Sequence, residues 1–124
     1  MTSQGSPHAR FERALHTGNP TLVRAAAAEL PRVGLDDALR ICVVLAVAEP
    51  EVYERAAVRW LGRLLLDEPG VTLAQAQLAA TALGVLPRCV PDAPAIAALG
   101  KLCEERGLLG AARTLAELAE RLDR

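Results

Sequence analysis

The chain has 124 residues, of which 52% are hydrophobic and only 2% are aromatic. This length fits one domain, and such a domain buries roughly two thirds of its unfolded surface, so a core can form without disulfides or metals. The net charge is −1, which argues against nucleic acid or an anionic membrane as a partner, because proteins that bind them are usually basic. A core poor in rings must be filled by aliphatic side chains, which favours closely packed helices over a β-sandwich.

The cysteines, the N-terminus and the uncharged segment 69–87 indicate the cellular compartment of the protein. Cys42, Cys89 and Cys103 form no CxxC pair, so free thiols in a reducing compartment are predicted. The first ten residues, MTSQGSPHAR, contain no apolar stretch typical of a secretory signal. Segment 69–87 is uncharged but is interrupted by Pro, Gly and Gln, so it is not predicted to span a membrane. We therefore predict a cytoplasmic protein.

Proline and glycine residues mark the boundaries of seven predicted helices. Proline is favoured in the first turn of a helix, and glycine is favoured just after its last turn. Residues 1–8 are predicted to be a flexible N-terminal tail, and residues 9–124 a single all-helical domain. The predicted helices are Ala9–His16, Pro20–Leu30, Leu35–Ala48, Pro50–Leu66, Leu73–Leu83, Ala93–Arg106 and Leu108–Leu122.

The third and fourth predicted helices should form the middle of the core. The run from Ile41 to Ala48 has no charged side chain, and eight residues make just over two turns, so this run is apolar on every side. A helix of that kind is normally a buried one, so we expect protein to enclose the run on all sides. The fourth helix adds Tyr53 and Trp60 on one face.

Short connections predict that consecutive helices form antiparallel αα-hairpins. The segments His16–Leu30 and Glu104–Leu118 both contain a Gly-marked turn, a helix start rich in small residues and an Ala-Glu-Leu end. This pattern resembles the helix-turn-helix unit of tetratricopeptide-like repeats. The stretch from Phe11 to Leu45 is also similar to small all-α proteins of GC-rich bacteria. The resemblance implies stacked αα-hairpins, arranged either as an α-α superhelix or as a compact orthogonal bundle.

No residue pattern for catalysis, a metal or a cofactor is evident. A zinc site from His16, Cys89 and Cys103 would require three distant segments to converge. Cys89 lies in a loop between two prolines, and an accessible thiol there would be redox-sensitive, but only Arg88 lies beside it to lower its pKa. The chain has no Gly-rich phosphate loop, G-x-S-x-G or H-E-x-x-H. We therefore predict a protein that is not an enzyme.

The first candidate binding surface is a stripe of arginines on the fourth predicted helix. Arg55, Arg59 and Arg63 are spaced by four, so three guanidiniums share one face and are able to hold phosphates or an acidic peptide. Glu51 stands four residues before Arg55, so a salt-bridged, solvated face is the alternative interpretation.

The second candidate surface is the uncharged segment 69–87, whose helix carries only Gln75, Gln77 and Thr81 as polar residues. Depletion of charge is typical of the centre of a protein–protein interface, although a helix sandwiched between the fourth and sixth helices would have the same composition. We therefore predict a small interaction or adaptor module, whose partner is another protein or a second copy in a homodimer. The alternative is a regulator that binds nucleic acid or an anionic ligand through the arginine stripe.

Overall fold

Seven α-helices and no β-strand make up the part of the protein that the computed structural model describes, residues 5–88 and 92–122. The helices are α1 Pro7–Thr17, α2 Pro20–Ala28, α3 Leu35–Ala48, α4 Pro50–Asp67, α5 Leu73–Val85, α6 Ala93–Glu105 and α7 Leu109–Leu122. The all-helical prediction is therefore confirmed. No helix in these ranges is long and apolar enough to cross a membrane.

Side chains that accept backbone N–H groups fix several helix starts. The Ser6 hydroxyl accepts the Ala9 N–H at 3.1 Å, so α1 begins at Pro7, two residues earlier than predicted. The end of the predicted tail is thus helical, while residues 1–4 lie outside the described ranges. Thr72 and Gln75 form the capping box at the start of α5 that their spacing indicates.

Two buried aromatic side chains tie α4 to its neighbours. The Tyr53 hydroxyl donates to the Leu83 carbonyl oxygen at 2.6 Å, and the Trp60 indole N–H donates to the Leu35 carbonyl oxygen at 2.8 Å. The beginning of α4 therefore lies beside the end of α5, and its second half lies beside the beginning of α3. Because both polar atoms have partners, the rings fill the core without leaving an unsatisfied group.

The core has two parts that meet at α3. Helices α3 to α7 bury the larger cluster of side chains, and α1 and α2 bury a smaller one around Phe11, Ala14 and Val23. Ile41 of α3 packs against both clusters. Leu22 of α2 is 49% exposed.

The prediction that Ile41–Ala48 is enclosed on all sides is wrong. Cys42, Leu45 and Ala46 are buried, but Val47 is 79% exposed. Helix α3 contacts α1, α2, α4 and α7, and these neighbours leave one side of its C-terminal half uncovered. An apolar composition permits burial on every side but does not supply the neighbours that burial requires.

The C-terminal helices return to the centre of the fold. Helix α6 packs against α5 and α7, and α7 also contacts α3. In an open repeat array each unit contacts only its neighbours in the chain, so the α3–α7 contact is a feature of a more compact arrangement. At the far end of α6, the Arg106 guanidinium donates to the carbonyl oxygens of Pro69 and Gly70 and holds the connection between α4 and α5.

Candidate interaction surfaces

The three arginines of the predicted stripe have different surroundings in the structure. Arg63 is half-buried, and its Nη2 donates to the Val33 carbonyl oxygen at 3.0 Å. Arg55 and Arg59 are exposed, and neither forms an ion pair within residues 5–88 and 92–122. The predicted pairing of Glu51 with Arg55 is likewise not among the ion pairs of that part of the chain. Two guanidiniums of the three therefore remain available on the surface.

The two glutamines predicted as binding residues have different surroundings. The Gln75 Oε1 accepts the Thr72 N–H at 3.0 Å and an Arg106 N–H at 3.2 Å, so this side chain caps α5 and anchors α6. Gln77 is exposed. Of the pair, Gln77 is the residue that a partner is able to contact.

Helix α5 is covered on one side only. Its Ala79, Ala82 and Leu83 are buried against the core, and its packing neighbours are α4 and α6. On the opposite side Leu73 is 76% exposed, and the other outward residues there are small or uncharged. Helix α5 does lie between α4 and α6, as the alternative interpretation has it, but these two neighbours leave the side with Leu73 and Gln77 exposed.

The exposed side of α5 continues onto α4 as one apolar surface, which we call the α4–α5 face. Val58 of α4 and Ala80 and Gly84 of α5 line the same shallow pocket of about 150 Å³ between the two helices. Leu65 shares a side of α4 with Val58, since the two are seven residues apart. Glu54 is the one charged residue that lines this pocket. The α4–α5 face consists of Val58, Leu61, Leu65, Leu73, Gln77, Ala80 and Gly84.

A larger groove of about 700 Å³, which the sequence did not predict, lies between α1 and α7 with α3 as its floor. The apolar part of its lining is Leu15 of α1 and Val43, Val44 and Val47 of α3. The exposed side of the apolar run in α3 is therefore the floor of this groove. Sequence reasoning missed the groove because three segments far apart in the chain build it.

One end of the groove is closed by a cap that links two helices. The Asp36 carboxylate, in the first turn of α3, accepts the N–H groups of Gly110 at 3.3 Å and Ala111 at 2.6 Å, in the first turn of α7. A Cβ atom on residue 110 would lie 2.8 Å from Asp36 Oδ2, so glycine permits this close approach. Negative charge at a helix N-terminus is favourable, and here one carboxylate serves two helices.

Beside this cap, polar side chains of α1 and α3 converge. The Arg40 guanidinium donates to both oxygens of Glu12, at 2.6 and 2.7 Å, and to Asp37 at 3.4 Å. The hydrogen bond from Arg40 holds the pKa of the Glu12 carboxyl below its ordinary value. His8 Nε2 lies 3.4 Å from Asp37 Oδ2 and 3.9 Å from Glu12 Oε2. The spacing of His8 and Glu12 by four residues is visible in the sequence, but residue 8 was predicted to lie in the flexible tail, so the two were not expected to share a helix.

The cysteines that the structure describes are poor nucleophiles. Cys42 and Cys103 are free and buried, and burial raises the pKa of the Cys42 thiol to about 11 and that of Cys103 to about 12. Cys89, considered both as a redox-sensitive thiol and as a zinc ligand, lies outside the described residues. The one group of potential metal ligands in the described ranges is His8, Glu12 and Asp37, and it includes neither His16 nor Cys103.

Comparisons of the chain with models of protein families, with curated proteins and with solved structures give no match.

Proposed function

We propose that this protein is a non-enzymatic interaction module, built from stacked helical hairpins, that binds a protein partner through the α4–α5 face. The observation that carries the proposal is the exposure of large apolar side chains there: Val58 is 64%, Leu65 47% and Leu73 76% exposed. Removing apolar surface from water contributes roughly 25 cal/mol per Å². Contiguous apolar patches on a soluble protein commonly mark binding sites.

The small residues of this face support close helix packing. Ala80 and Gly84 lie on the outward side of α5, and no atom beyond the adjoining turns of the helix lies within 4 Å of where a Cβ of residue 84 would be. A partner helix is thus able to approach the backbone of α5 closely, as tightly packed interface cores require. Gln77 supplies a polar side chain beside them for a hydrogen bond.

A second copy of the chain is the partner that we propose first. In an interface with twofold symmetry the same surface is used by both molecules, so any charge at its centre opposes a like charge. The residues of the α4–α5 face are uncharged, and Glu54 is the one charged residue that lines the pocket within it. Between two copies that meet there, Glu54 is therefore the main source of like-charge repulsion.

Sedimentation across micromolar concentrations tests this proposal with a matched pair of variants. Val58→Asp places a charge on the α4–α5 face, whereas Leu22→Asp places one at an exposed apolar position on α2. We expect the wild type and Leu22→Asp to dimerise and Val58→Asp to remain monomeric. A monomeric wild type contradicts the homodimer, and equal behaviour of both variants contradicts the choice of face.

The exposure of Arg55 and Arg59 supports a second candidate function, binding of an anionic ligand or nucleic acid. Because Arg63 is held by the Val33 carbonyl oxygen, this function would rest on two guanidiniums. Charge reversal by Arg59→Glu is then expected to abolish a binding that weakens with salt. If the wild type binds neither DNA nor RNA at low salt, nucleic acid is excluded as the ligand.

A further inference from the structure

We propose that the polar end of the groove between α1 and α7 binds a divalent transition-metal ion, best matched by Zn²⁺, through His8 Nε2, Glu12 Oε2 and Asp37 Oδ2. These three atoms all lie within 4.8 Å of one another. The inference concerns the groove and not the α4–α5 face, so it does not depend on the proposed dimer.

Two of the three distances lie near those around a tetrahedral ion, and the third, between Glu12 Oε2 and Asp37 Oδ2, is below 4.8 Å. Zinc binds nitrogen and oxygen ligands at roughly 2.0–2.2 Å, which places tetrahedral ligands about 3.4 Å apart. His8 Nε2 is 3.4 Å from Asp37 Oδ2 and 3.9 Å from Glu12 Oε2. His8 and Glu12 are four residues apart on α1, so they project from the same side of that helix. Small side-chain rotations therefore suffice to bring all three onto one ion.

Arg40 positions one ligand without using all of its acceptor capacity. Its guanidinium donates one hydrogen bond to each oxygen of Glu12, and a carboxylate has about four lone-pair sites. Outer-sphere hydrogen bonds of this kind commonly orient the carboxylates that bind metals. Glu12 and Asp37 together carry two negative charges and share this one guanidinium, which leaves negative charge for a cation to neutralise.

The donor set and the open groove favour some cations over others. An imidazole with two carboxylates suits Zn²⁺ and related transition metals, whereas Ca²⁺ takes six to eight oxygen ligands and Mg²⁺ prefers oxygen ligands. The His8 side chain is 57% exposed at the mouth of the groove, so water is able to supply the remaining coordination position. Bound metal would connect the first turn of α1 to the first turn of α3.

Titration calorimetry with zinc chloride tests the site on the full chain without an affinity tag. A Cys89→Ser background removes a thiol that would compete for zinc. We expect one Zn²⁺ per chain and a rise in melting temperature with zinc, because a ligand that binds only the folded state stabilises it. His8→Ala should weaken binding by at least about 10-fold.

His16→Ala is the matched control, because His16 is an exposed histidine on the same helix and lines the same groove. It should leave the zinc affinity unchanged, while Asp37→Asn should weaken it as His8→Ala does. No binding by the wild type, or equal losses in both histidine variants, would overturn the proposal. In that event the contact of His8 with the two carboxylates is an ion pair only.

Discussion

Replacing Asp36 by alanine removes the cap that connects α3 to α7. The residue before α7 is Leu108, which has no side-chain acceptor, and the first backbone bond of the helix is made by the Ala112 N–H. Two of the preceding N–H groups, those of Gly110 and Ala111, are bonded to Asp36. In Asp36→Ala both lose this acceptor in a half-buried setting.

The expected loss follows from these two bonds. A hydrogen bond to a charged acceptor contributes about 1.5–3 kcal/mol, and loss of a helix cap costs about 0.5–2 kcal/mol. The Ala111 bond is short at 2.6 Å, but the Gly110 bond is long at 3.3 Å and Asp36 is only half-buried. We therefore expect a loss of about 2 kcal/mol in the free energy of unfolding, a change of roughly 30-fold in the folded-to-unfolded ratio.

Urea unfolding followed by circular dichroism measures this loss, and Glu51→Ala is its matched control. Glu51 is the second residue of α4, as Asp36 is of α3, and both are acidic residues in a first turn. The control therefore reproduces the change in the helix's own first turn without removing a cap from another helix. If Asp36→Ala loses less than about 0.5 kcal/mol more than Glu51→Ala, the cap does not stabilise α7 as we argue.

Two further predictions concern α3 and the buried thiols. Val47→Asp should change the free energy of unfolding by at most about 0.5 kcal/mol, because the Val47 side chain faces solvent. Leu45→Ala should cost about 2–5 kcal/mol, because Leu45 is buried. A large loss from Val47→Asp in urea unfolding would show that Val47 is enclosed after all. With Cys89 replaced by serine, Cys42 and Cys103 should react with an aromatic disulfide at pH 8 only after denaturant is added. Rapid labelling of the native protein would contradict the burial of the two thiols. Burial raises the Cys42 pKa from 9.0 to about 11. The contribution of the neutral Cys42 thiol to the free energy of unfolding is therefore complete below pH 9 and is lost as the pH rises towards 11.

The positions of the helices could be predicted from the sequence, because local chemistry sets where a helix can begin. Thr72 with Gln75 marked the start of α5, and Pro50 marked that of α4. Helical periodicity also predicted the buried side of α4 around Tyr53 and Trp60. These features depend on residues within a few positions of one another, so the order of the amino acids is enough to predict them.

Contacts between distant segments of the chain set which surface residues remain free. Arg63 and Gln75 were candidate binding residues, yet Val33 and Arg106 engage them from other segments of the chain. In the same way, contact between α3 and α7 gives Asp36 its role as a cap. A side chain's partners depend on which helices become neighbours, and distances along the chain do not encode that.

The groove shows the same division between sequence and fold. The valines of its floor belong to the apolar run that was predicted to be enclosed, and their exposure follows from the placement of α1 and α7 on either side of α3. The convergence of His8 with Asp37 also requires α1 to lie against α3. Composition and periodicity determine which surfaces are apolar, and only packing between distant segments decides which of them are covered.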